Sequence, residues 1–142
     1  MSLFSSLSVS SSGMYAQRTR AELLVQNLAN SETTRTPDGG PYKRRDAVFT
    51  SDDQGSPFSA TFQNEISTGV SVSEIVEDSR PPERRFQPGH PDADKDGYVA
   101  FPNINPAEDM VDLMSASRGF SANIAAMTAV KDMINRSIDL MR

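Results

Sequence analysis

The sequence predicts an α+β chain in which long N- and C-terminal helices pair as a coiled coil, with a small irregular β region between them. Two observations carry this. Near both ends apolar residues recur at steps of three and four, and proline is almost absent. The stretch between them holds eight of the nine prolines and six of the eight glycines, with short β-prone runs set between turn sequences. The divisions fall at 1–30 for an N-terminal assembly helix, 31–105 for the β-rich middle, and 106–142 for a C-terminal assembly helix.

The N-terminal series reads Leu3, Leu7, Ser10, Met14, Gln17, Ala21, Leu24, Leu28, and six of the eight are apolar. Ser10-Ser11-Ser12-Gly13 interrupts it with poor helix formers, glycine costing about 1 kcal/mol against alanine. This segment is expected to order only against something else.

The C-terminal helix is better marked. Asn105 suits an N-cap, Pro106 the first helical position, and Glu108 a capping-box spacing. The series then runs Met110, Leu113, Ser117, Phe120, Ile124, Met127, Lys131, Ile134, Ile138, Met141, apolar at eight of ten places. Such a helix is about 50 Å long, too long to bury itself on one small domain. Lys131 and Ser117 are expected inside the seam, where they would set register at some cost in stability. Five of the seven methionines lie here, adaptable side chains for a seam with non-identical neighbours. The apolar members of both series form the candidate assembly interface.

In the middle, Ala47–Thr50, Val70–Val76 and Gly97–Phe101 read as strands. Turn sequences separate them, among them Pro37-Asp38-Gly39-Gly40-Pro41, Asp52-Asp53-Gln54-Gly55 and Asp96-Gly97.

The 142 residues carry a net charge of −5, which disfavours broad attraction to nucleic acid or anionic membrane. There is no cysteine, so disulfides, thiolate metal sites and thiol nucleophiles are excluded. Met1-Ser2-Leu3-Phe4 lacks the basic start of a secretory signal, and no apolar run reaches the roughly 18 residues of a membrane span. Export would need a route that reads no cleavable signal.

Catalytic and cofactor chemistry finds little support. His90 is the only histidine and sits in a Pro-Gly turn with no marked nucleophile. Asp92-Ala93-Asp94-Lys95-Asp96-Gly97 matches the opening of an EF-hand loop, but position twelve holds Asn103 in place of glutamate, and Pro102 blocks the exiting helix. A turn is the favoured reading, with a calcium-responsive coiled-coil binding module as the alternative function. Lys43-Arg44-Arg45 reads as a solvated strand edge, or as a contact for an acidic segment such as 92–96 of another copy. No catalytic, metal or cofactor residue is assigned, and neither an enzyme nor a small-molecule substrate is expected.

The ends also carry a family pattern. Ser12-Gly13-Met14-Tyr15-Ala16-Gln17-Arg18-Thr19-Arg20 and Asn27-Leu28-Ala29-Asn30-Ser31-Glu32-Thr33-Thr34 resemble the N-terminal motif of bacterial flagellar axial proteins. The continuation Arg35–Tyr42, the block Pro88–Asn103, and Asp109–Asp112 with Ser115–Asn123 narrow the resemblance to the FlgC family of proximal rod proteins. Gly119-Phe120 stands where that family commonly has alanine and tyrosine, and Phe86 and Phe101 where tyrosine is common. The resemblance implies a structural subunit of the periplasm-crossing basal-body rod, which transmits torque to the hook. It implies export by the flagellar type III apparatus without a cleaved signal peptide. The neighbours it implies are copies of itself, the rod proteins FlgB, FlgF and FlgG, and the adaptor FliE.

Overall fold

Six elements follow one another in the computed structural model, which describes residues 3–51 and 69–141. Helix α1 (Leu3–Ala29) leads into strands β1 (Arg45–Ser51) and β2 (Val70–Glu77). Strands β3 (Glu83–Phe86) and β4 (Tyr98–Phe101) follow, and helix α2 (Pro106–Leu140) closes the chain. This is the expected α+β arrangement. The turn expected at Asp52–Gly55 lies outside the described residues.

Local chemistry accounts for the ends of each helix. The Asn105 side chain accepts a hydrogen bond from the Ala107 N–H at 3.2 Å, Pro106 takes the first turn, and Glu108 and Asp109 place negative charge at the helix N-terminus. At the end of α1, Asn30 donates to the Gln26 carbonyl and Ser31 to that of Leu28. These bonds satisfy carbonyls that the helix leaves open.

The weak helix formers of α1 prove to be tertiary contacts. The helix runs unbroken through Ser10–Gly13. Ser12 donates its hydroxyl to the Val9 carbonyl at 2.8 Å and accepts the Val70 N–H at 3.1 Å, tying α1 to the first residue of β2. Gly13 leaves room for Asn123, whose side chain would stand 3.0 Å from an added Cβ.

The strands make two antiparallel pairs, β1 with β2 and β3 with β4. Val48 faces Glu74 and Phe49 faces Val72, so Ser73 is the extra residue of a bulge, and its hydroxyl donates to the Val48 carbonyl. The bulge explains why the apolar series of β2 steps from Val72 to Ile75. One extra residue restores Val70, Val72 and Ile75 to a single face, opposite Ala47 and Phe49. Strand β3 was not expected. Its residues Glu83-Arg84-Arg85-Phe86 are exposed and mostly charged, and pairing with β4, Glu83 opposite Phe101 and Phe86 opposite Tyr98, makes it a strand.

Buried apolar side chains gather at one end of the helix pair: Leu23 and Leu24 of α1, Val99 and Phe101 of β4, and Ile104 before α2. Phe101 is flanked by the Arg85 guanidinium, 4.9 Å from its ring centre, and by His90 at 6.2 Å.

Gly97 closes the β3–β4 connection with φ +80°, and an added Cβ would meet Phe86 at 2.9 Å. Gly97→Ala should lower stability by about 1–2 kcal/mol from the left-handed backbone alone. In urea unfolding the loss should be smaller in a Phe86→Ala background, where the tightest steric contact is removed and only that with the Pro88 Cβ, at 3.2 Å, remains.

Candidate assembly surface

The two helices lie side by side and antiparallel. Gly13 is against Asn123, Gln17 against Gly119, and Arg20 pairs with Asp112 at 3.3 Å. The closest approach is lined by small residues: Ala16 and Ala116 are 2% and 1% exposed. On α2 the inward line reads Asp109, Leu113, Ala116, Phe120, Asn123, Met127, Val130, Ile134, all buried or half-buried, at alternating steps of four and three.

This corrects the line expected from the sequence. Leu113, Phe120, Met127 and Ile134 do face α1. Met110, Ser117, Ile124 and Lys131 are exposed, and the residues just before them, Asp109, Ala116, Asn123 and Val130, take their places. Lys131 and Ser117 are therefore surface residues and not buried register-setters. On α1 the displacement is the same. Gly13, Arg20 and Asn27 face inward, where the pattern put Met14, Ala21 and Leu28, which are half-buried. A count of large apolar residues misses a contact made by small ones.

Because the helices are antiparallel, a one-residue rotation in the same sense carries both apolar series to the same flank. There a groove runs between Ala21 of α1 and Leu113, Ser117 and Phe120 of α2, with Gln17 and Arg18 beside it. The Gln17 Oε1 atom is buried without a hydrogen-bond partner. The β region sits on the other flank, through Ser12 to Val70 and Leu23 beside Ala47, Phe49 and Ile75.

Of the expected interface residues, Leu24 is buried within the chain, and Leu7, Met14, Ala21 and Leu28 are half-buried. Met110, Ile124, Ile138 and Met141 are exposed. Ile138 and Met141 lie beyond the stretch of α2 that α1 covers. The Leu3 side chain falls outside the described residues.

Two polar residues inside the fold went unassigned in the sequence. Asn27 is 0% exposed. Its Nδ2 donates to the Arg45 carbonyl at 2.9 Å, and its Oδ1 accepts the Arg45 N–H at 3.0 Å and the Tyr42 hydroxyl at 3.1 Å. The amide thus pairs with the backbone of β1 as another strand would. Its only sequence signal was its place in the Asn-Leu-Ala-Asn motif. The second is Asp109, also buried, with Arg44 Nη2 at 3.1 Å from Oδ1 as an ion pair that lacks hydrogen-bond geometry. Burial pushes its carboxyl above the ordinary 3.8; Arg44 opposes this, and Asp46, Asp112 and Glu108 reinforce it.

The arginines of the basic clusters are paired within the chain. Arg44 faces Asp109 and Asp46, Arg45 meets Glu77 at 2.9 Å, Arg80 meets Asp78, and Arg84 meets Asp94. The EF-hand-like carboxylates are turned apart. Asp92 accepts the Thr34 hydroxyl at 2.8 Å, while Asp94 takes Arg84 and the Lys95 N–H. Among the described residues no three metal-ligating side chains converge, and no helix is long and apolar enough to cross a membrane.

Comparison of the sequence with known proteins shows the family. Residues 95–140 fit the family described as flagellar basal body rod FlgEFG protein C-terminal. The flagellar basal-body rod protein FlgC of Borreliella burgdorferi is 39% identical over 100% of this chain and 99% of its own length. Those of Bacillus subtilis and Salmonella typhimurium are 37% and 36% identical, each over 99% of this chain and 99% and 98% of their own lengths. The chain belongs to the FlgC family of flagellar basal-body rod proteins. That is a family of structural proteins and not of enzymes, and the surface that matters is the one that meets other chains.

Asn27→Ala should cost about 1–3 kcal/mol, because it removes a buried amide and leaves the N–H and carbonyl of Arg45 without their partner. Hydrogen exchange should show the Arg45 amide losing protection while that of α2 is kept. A second test concerns pH. With its pKa raised by folding, Asp109 stays protonated in the native state where the unfolded chain already ionises. Stability is therefore lost as pH rises from 3.8 through the raised value and is level above it. In thermal melts across that window Asp109→Asn should lack this fall.

Proposed function

We infer that the chain is a structural subunit of the proximal rod, joined to its neighbours through the open flank of the helix pair. The observation that carries this is the placement of the large apolar residues. The helices make their closest approach through glycine and alanine and leave Met110 and Ile124 exposed on the flank away from the β region, with Ile138 exposed beyond the end of α1. An apolar flank of that length is covered when other helices pack along it.

The neighbours are other copies, FlgB, FlgF, FlgG and the adaptor FliE, in a rod that crosses the periplasm and carries torque to the hook. The chain leaves the cytoplasm through the flagellar type III apparatus. Its two assembly helices, 1–30 and 106–142, gain further order when they pack against partners, since an amphipathic helix with an uncovered flank is marginal in water. The segment 31–105 decorates them.

Ile124→Asp tests the flank. The residue is 45% exposed, so folding should change by no more than about 1 kcal/mol. The variant should keep the helical circular dichroism and melting of the parent, fail to enter purified basal bodies, and leave cells non-motile. Normal motility would overturn the assignment.

A further inference from the structure

The β region carries a cleft that the helix contacts do not use. It lies where α1 ends and α2 begins, between the segments 39–44, 78–82 and 102–103, and has a volume of about 130 Å³. Its walls include Pro41, Pro82 and Pro102, and Lys43, Arg80 and Asn103 supply polar groups. A cavity of roughly 150 Å³ holds one benzene ring, so this cleft takes a single side chain and not a helix. Proline has almost no side-chain freedom, so the walls do not fold inward to fill the space.

The groups that remain free there are donors. Lys43 is exposed and, among the described residues, has neither an ion pair nor a hydrogen bond. Its neighbours differ, since Arg44 and Arg45 are held by Asp109, Asp46 and Glu77. Arg80 spends Nε and Nη2 on Asp78, at 2.7 and 2.6 Å, which leaves Nη1 without a partner among the described residues. Asp78, the one carboxylate of the lining, also accepts the Arg80 N–H and is engaged within its own loop. The exposed Asn103 amide is free as well. Two cations and an amide beside proline walls suit an anionic acceptor on a short apolar stem.

Resting on the rod reading above, we propose that this cleft receives the carboxylate side chain of an aspartate or glutamate from the next, non-identical protein along the rod. Two observations select that occupant. The cleft lies at an end of the helix pair, whereas a copy packed alongside meets its flanks. The acidic turn of this chain is also spent, with Asp92 held by Thr34 and Asp94 by Arg84. An ion pair open to water contributes little, but walls that exclude water from one side strengthen it and fix its direction. The contact is therefore a single anchoring point for the β region, separate from the apolar flank.

The chain has three lysines, Lys43, Lys95 and Lys131, which makes the test selective. A carbodiimide joins a lysine amine to a touching carboxylate as an amide, and takes up the water that is lost to become a urea. Basal bodies would be purified from cells that carry this chain in place of their own copy, treated with carbodiimide, digested and analysed by mass spectrometry. The expected product links Lys43 Nζ to an aspartate or glutamate of a different protein. Lys43→Glu should leave the circular dichroism and melting of the purified chain unchanged and abolish swimming, while Lys43→Arg keeps it. Changing the linked acid to lysine should restore swimming to the Lys43→Glu cells.

The proposal is overturned if Lys43 forms no link, if it links only to carboxylates of this chain or its copies, or if Lys43→Glu cells swim normally. The rod assignment survives all three results, because the unaltered chain is still recovered in basal bodies. Absence of the unaltered chain from them would overturn the rod assignment itself.

Discussion

One buried amide fixes where the β region meets the helices. Asn27 presents a donor and an acceptor from the side of α1 and receives the N–H and carbonyl of Arg45, so β1 begins as though pairing with a strand. A helix cannot offer its own backbone this way, because its groups are already bonded along the axis. Once Arg45 is held, Arg44 falls against the first turn of α2, where Asp109 lies buried. The same hydrogen bonds therefore set the height of β1 on α1 and, through Arg44, the position of α2. An error at residue 27 would spread to every element that follows it.

The two polar contacts differ in kind. Asn27 is satisfied by three hydrogen bonds, and such a group adds specificity at little net cost. Asp109 is a charge inside the fold with one off-axis cation, and burial of that sort costs more than it returns in stability. Its merit is positional. Only the arrangement that brings Arg44 to α2 makes the buried carboxylate tolerable, so competing placements of α2 are penalised.

Much of the architecture could be read from the residues. The two long terminal helices, the Asn105-Pro106 start and the strands at Ala47–Thr50, Val70–Val76 and Tyr98–Phe101 each follow from local preference, and the structure bears them out. The rotation of the helix contact could not be read this way, because its determinants are Gly13, Ala16, Ala116 and Gly119. Their contribution is the absence of bulk, and an apolar pattern scores bulk. Strand β3 escaped notice for a related reason, since its order comes from β4 and not from its own charged residues. Residues with no periodic signal at all, such as Asn27, had significance only through a partner eighteen positions away. The open flank, by contrast, is made of the very residues that the pattern selected. It is an unfilled surface, which is where the sequence reading placed the candidate assembly interface.

The way each seam glycine receives a side chain from the other helix has a consequence for sliding. A Cβ added at Gly13 would stand 3.0 Å from the Asn123 side chain, and one added at Gly119 would stand 3.3 Å from that of Gln17. The two glycines are notches at different heights, each filled from the opposite helix. For one helix to slip along the other by a turn, about 5.4 Å, both side chains must leave their notches together. The pair is thus indexed along its axis as well as packed across it.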